Sequence, residues 1–142
     1  MLSHPQISIL AINAKDSSEL SPFFDYLQSM AHVQLALEKA IPADLSPYDV
    51  VISAETTGGE EKTETLEQFA AAGGGWLKLV CRSTRPLPEI FGAQPGQIGP
   101  AAELRVLFDD PDHPLATRLP DAVYLQGVYH PLELTAEDTE LI

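Results

Sequence analysis

The chain has 142 residues, 44% of them hydrophobic, which is enough to bury one domain core and excludes wholesale disorder. With 21 acidic against 8 basic side chains and a formal net charge of -13, the surface repels nucleic acid and anionic lipid, so neither is expected as a partner. Cys81 is the single cysteine, which excludes an internal disulfide and a multi-cysteine metal site.

Gln6 to Ile12 (QISILAI) is short, apolar and β-branched, the pattern of a strand covered on both faces. Its apolar run of about seven residues has no basic region before it and does not suit a signal peptide. No apolar segment approaches the roughly 20 residues that cross a bilayer. A cytoplasmic protein with no membrane partner is therefore expected. Asn13 to Ser18 reads as a βα loop. Ser21 is placed to cap a helix, with Pro22 in the first turn, where its missing N–H does no harm. Phe23, Leu27, Met30 and Ala31 form an apolar stripe, so the helix is expected over Pro22 to His32. Val33, Leu35 and Leu37 alternate with Gln34, Ala36 and Glu38, which predicts a half-covered strand near the sheet edge.

The chain is organised around Tyr48 to Ser83. Asp49 to Ser53 (DVVIS) is a buried strand, and Thr57 with Glu60 has capping-box spacing. Leu66, Phe69 and Ala70 mark the apolar face of a helix, and Gly73 to Gly75 stops it. Trp76 to Cys81 (WLKLVC) predicts a further buried strand. Leu87 to Gly92 reads as a short helical turn, and Gln94 to Pro100 as a Gly/Pro loop. Leu104 to Phe108 predicts a fifth strand, Asp109 to Pro114 a turn, Leu115 to Leu119 one helical turn, and Ala122 to Leu125 a sixth strand. Alternating β and α with buried strands implies an α/β fold: an open, mostly parallel, flavodoxin-like sheet of order 2-1-3-4 with helices on both faces and a less regular C-terminal part. The whole chain, 1–142, is expected to form one domain.

Ligands of open α/β sheets bind beyond the carboxyl ends of the strands. The residues there are Asn13-Ala14-Lys15, Glu55-Thr56-Thr57, Cys81-Arg82-Ser83 and Asp109-Asp110. Lys15, Arg82 and Arg85 gather three of the few cations near one edge, which suggests a small-anion site, although pairing with neighbouring carboxylates explains them equally simply. A catalytic thiol needs a lowered pKa and a tight, small-residue turn. Cys81 is flanked by Val80 and Arg82, and no G-x-C-x-G is present, which favours a structural cysteine. His130-Pro131-Leu132-Glu133 has the composition of a base with its orienting carboxylate, and equally that of a polar turn after the last strand. The four histidines, His4, His32, His113 and His130, have no metal-ligand spacing, and no phosphate-binding glycine motif occurs, so no metal or cofactor is expected.

YDVVIS (48–53), LEQFAAAGGGWLKLV (66–80), LPEIFGA (87–93) and DPDHPLATRLPD (110–121) together resemble the ThuA-like (trehalose-utilisation) proteins of the class I glutamine amidotransferase-like superfamily. The resemblance spans about Gln6 to Tyr129. It implies a nucleophile position that falls by register on Arg82, with Cys81 one residue early and on the opposite face of the strand. It also implies a C-terminal His-Pro-Glu, to which His130-Pro131-Leu132-Glu133 is similar with one extra residue. Family members continue past the equivalent of Tyr129, so a truncated or reduced member is expected. The leading expectation is a non-catalytic amidotransferase-like domain that binds a small sugar-like or anionic ligand through Asn13, Glu55, Thr56, Thr57, Arg82 and Ser83. The alternatives are a thiol-dependent amidotransferase or hydrolase using Cys81, His130 and Glu133, and an interaction or homo-oligomerisation module of a larger assembly.

Overall fold

The computed structural model describes residues 5–12, 20–54, 62–79, 86–107, 112 and 122–136. The chain divides into two compact units, Met1–Ser83 and Thr84–Ile142.

In the first unit, β1 (Ile7–Ile12), β2 (Val33–Glu38), β3 (Val50–Ala54) and β4 (Gly75–Leu79) form a four-stranded sheet of order β2-β1-β3-β4. Every neighbouring pair is parallel. The expected order 2-1-3-4 is thus the observed one. β1 and β3 are central and carry most of the core. Because side chains alternate across a strand, β1 feeds both faces. Ile9 and Ala11 join Ile52 and Phe24 on one face, where Leu20 and Leu27 of the first helical region pack. Leu10 and Ile12 join Val51, Leu45 and Leu66 on the other, with Phe69 and Trp76 against them. Helix α1 (Ser21–Ser29) therefore covers one face and α2 (Thr63–Ala71) the other.

The helix boundaries correct the sequence reading in two places. Leu20, not Ser21, caps α1, and no side chain caps it. Ser21 is instead the first helical residue and its hydroxyl donates to Asp25 Oδ2 at 3.4 Å. The buried stripe is consequently Leu20, Phe24 and Leu27, while Phe23 lies outside it and touches Phe24 edge-on at 5.2 Å between ring centres. Two adjacent phenylalanines leave the stripe ambiguous by one residue, and burial against β1 and β3 chooses the second. The helix also ends at Ser29 rather than His32. The expected Thr57–Glu60 capping box lies outside the described residues.

The end of α2 has a full Schellman closure. The N–H of Gly74 donates to the carbonyl of Phe69 at 3.1 Å, and that of Gly73 to Ala70 at 3.0 Å. Gly73 sits at φ 99, and a Cβ on Gly74 would overlap the Phe69 ring. Glycine is required at the first position by backbone conformation and at the second by close packing. At the start of β3, Asp49 extends the ladder on both sides. Its N–H donates to Ser8, its carbonyl accepts from Gly75, and its carboxylate accepts from the Ser8 N–H at 2.8 Å. An Asx turn, with Asp44 Oδ1 accepting from the Ser46 N–H at 2.9 Å, points Leu45 into the core.

β4 is a second correction. It was expected to be buried, but Leu77 is 45% exposed, because β4 has β3 on one side and no described strand on the other. Trp76 is the exception that ties it down: its Nε1–H donates to the buried Ser53 Oγ at 2.9 Å.

The second unit is built from antiparallel pairs. β5 (Ala93–Pro95) pairs with β8 (Leu132–Leu134), and β6 (Ala102–Leu107) with β7 (Ala122–Gly127). Residues 93–95, apart from Ala93 expected in a loop, and Leu132–Glu133, expected in a turn, are therefore strand. Their pairing partners are about forty residues apart in sequence, beyond the reach of local pattern. A 3-10 turn at Glu89–Phe91 ends on Gly92 at φ 59, as the expected short turn does. The Gln94 side chain bonds both the N–H and the carbonyl of Leu87, each at 2.8 Å, imitating a neighbouring strand.

Candidate functional site

The parallel ladder sets where a site can be. In register, Glu38 of β2 lies beside Ile12 of β1, Ile12 beside Ser53 of β3, and Ala54 beside Leu79 of β4. All four strands thus finish along one line. Chain connections leave β1 through α1 on one face and β3 through α2 on the other, so the strand order reverses between β1 and β3. In such sheets, a crevice where adjacent connections diverge to opposite faces is the usual ligand position. Asn13 follows β1 directly, and Glu55, Thr56 and Thr57 follow β3 directly. Cys81, Arg82 and Ser83 follow the end of β4 after Val80. These six ligand residues and Cys81 lie outside the described residues, as do Lys15, Arg85 and Asp109-Asp110. The described structure supplies the strand ends that lead into them.

His130 and Glu133 lie in the second unit. His130 Nδ1 is 3.2 Å from the Gly96 carbonyl. A carbonyl only accepts, so Nδ1 is the donor in this contact. The other ring nitrogen, Nε2, is buried and has no hydrogen-bond partner among the described residues. Glu133 is exposed on β8, opposite Gln94. The ring is thus oriented by a backbone carbonyl, and its Nε2 is closed to solvent. Gly96 is central to this arrangement: its N–H donates to the Pro131 carbonyl at 2.7 Å, and a Cβ there would lie 2.9 Å from Glu133 Oε1.

Sequence reasoning did not single out Ser53. It is the buried polar residue of the described core, one residue before the end of β3. Its hydroxyl is engaged by Trp76, which makes it an anchor of the carboxyl edge. The signal was present as a lone serine closing the apolar run VVIS. Among the described residues, no group of three or more His, Cys, Asp or Glu side chains could hold a metal ion. Among them too, no helix is long and apolar enough to cross a membrane.

No family model matches the sequence, and no curated protein matches it. Among solved structures, a protein from Bacteroides uniformis ATCC 8492, provisionally described as ThuA-like, has a similar fold: TM-score 0.64 at 17% identity, over 93% of this chain. The chain spans 63% of the length of that protein. The described strands, their parallel order and this neighbour agree with a flavodoxin-like α/β architecture.

Proposed function

We propose that this chain is a ligand-binding, non-catalytic ThuA-like domain that holds a small sugar-like or anionic molecule at the carboxyl edge of its parallel sheet. The observation that carries the reading is the reversal of strand order between β1 and β3, with α1 and α2 on opposite faces. Asn13 and the Glu55-Thr56-Thr57 segment flank that crevice in sequence, and Arg82 and Ser83 follow the neighbouring strand. Arg82 supplies a planar, permanently charged donor for an anion, and the hydroxyl and amide groups suit sugar hydroxyls.

The test is thermal stabilisation and calorimetry with glucose, trehalose and inorganic phosphate as probes. A saturable shift with one of them, lost in Arg82→Ala or Asn13→Ala, is the expected result. A shift unchanged in both variants, or no saturable shift with any probe, overturns the reading.

The non-catalytic part is supported by His130, whose Nε2 is buried and whose Nδ1 is held by Gly96. With a single cysteine, iodoacetamide labelling reads Cys81 alone. Labelling that rises with pH as an ordinary thiol does is expected. A reactive thiolate persisting well below pH 7 would favour thiol catalysis instead.

A further inference from the structure

We propose that the free edge of β6 is a self-association surface, joining two copies of this chain by antiparallel pairing of β6 with β6. The inference does not rest on the ligand reading, since it concerns a different unit of the chain.

β6 is paired on one side only, with β7, and no other described strand adds to that two-stranded sheet. A free strand edge offers unpaired N–H and carbonyl groups to any incoming strand. Proteins normally protect such edges with charge, and β6 does carry charge: Glu103 and Arg105, both exposed, on one face. No ion pair joins either of them to another described residue. Their arrangement is what makes the edge selective. β6 is the only described strand that carries both signs of charge.

Two identical strands that pair around a two-fold axis perpendicular to the sheet place one residue opposite its own copy. With Leu104 at that centre, Glu103 faces the partner's Arg105, and Arg105 faces the partner's Glu103. Two opposite-charge pairs then flank a Leu–Leu contact, and Ala102 faces the partner's Val106. Moving the centre to Glu103 sets glutamate against glutamate, and moving it to Arg105 sets arginine against arginine. Like charges directly opposite are unfavourable and opposite charges favourable, so only the Leu104 register satisfies both strands. The symmetry is isologous and closed, which limits growth at this edge to a pair. The product is a four-stranded antiparallel sheet of order β7-β6-β6-β7. Its row Leu125, Leu104, Leu104, Leu125 extends the cross-strand pair already present between Leu104 and Leu125. The outer edge of β7 has no charged residue to select a register, so the choice falls on β6. One short strand makes a small interface, and a weak, concentration-dependent dimer is expected.

Sedimentation velocity of the full chain, across concentration and salt, tests the proposal. The wild type should show a monomer–dimer equilibrium weakened by salt. Arg105→Glu and Glu103→Arg should each weaken it by about tenfold or more. Mixed together, these two variants should regain a dimer, because every pair across the axis then joins opposite charges. The double exchange E103R/R105E should also dimerise like the wild type, and it decides the matter if a single variant loses its circular dichroism. A wild type that stays monomeric up to about 1 mM overturns the proposal. So does a dimer indifferent to either single variant, or a double exchange that fails to recover it.

Discussion

The two units of the chain spend their apolar residues differently. In Met1–Ser83, β1 and β3 are buried on both faces, and Leu10, Val51 and Leu66 are fully covered. In Thr84–Ile142, Ala93 is the one buried hydrophobic among the described residues, while Tyr124, Leu125, Val128 and Leu132 are each more than half exposed. The first unit is a three-layer structure, with a helix on each face of a sheet. The second is described as two-stranded ribbons, and among its described residues no α-helix covers them. Local stability should therefore be concentrated in the first unit.

The contrast is most sharply tested by matched truncations. Leu66→Ala removes a fully buried side chain from the core under α2 and should destabilise by about 2–5 kcal/mol in denaturant titration. Leu132→Ala, at 62% exposure on β8, should change stability by less than about 0.5 kcal/mol. Comparable losses at both sites would erase the distinction between the units.

A smaller effect is expected at the carboxyl edge. Trp76→Phe strands the buried Ser53 hydroxyl and should destabilise by about 1–3 kcal/mol. Adding Ser53→Ala removes the stranded group and should recover part of that loss in a double-mutant cycle. Strict additivity of the two would mean that the bond does not anchor β4.

The smallest effect is a titration. The Ser46 hydroxyl, and after it the Ser46 backbone N–H, hold the Asp44 carboxyl below its ordinary pKa. A carboxyl depressed in the folded state adds stability above its unfolded pKa, and that contribution disappears as the pH falls through the folded value. Asp44 is fully exposed, so the change belongs in an NMR titration of its side chain rather than in a melting curve. The midpoint should lie below that of an ordinary aspartate and rise in Ser46→Ala. An unshifted midpoint would remove the carboxylate from the account of the Asx turn.

Much of the first unit was legible because its signals are local. Gln6 to Ile12 and Asp49 to Ser53 read as buried strands, and Val33 to Glu38 as an edge strand, because burial on two faces or one writes itself as a continuous or alternating run. Gly73 to Gly75 read as a helix stop for the reason the structure displays. α1 was misaligned by one residue because Phe23 and Phe24 fit the same helical period, and only the facing strands distinguish them. β4 looked buried because its composition is that of a central strand, while its position at the edge depends on what lies beside it.

The candidate site was legible only as far as the strand ends. Parallel order and a reversal between β1 and β3 are described, and the residues that follow each strand can be named from sequence. The environment of His130 could not be, since Gly96 is 34 residues away and nothing in its own neighbourhood announces that pairing.

By itself, then, the amino-acid order determined the α/β alternation and the closing of α2, both consequences of periodicity and turn chemistry within a few residues. Tertiary structure decided which phenylalanine enters the core, that β4 has a strand on one side only among the described residues, that residues 93–95 pair with 132–134, and that the His130 ring turns toward a backbone carbonyl. Each of these depends on contacts between segments far apart in the chain. Such contacts are chosen by burial and hydrogen-bond satisfaction of the whole rather than by any local pattern.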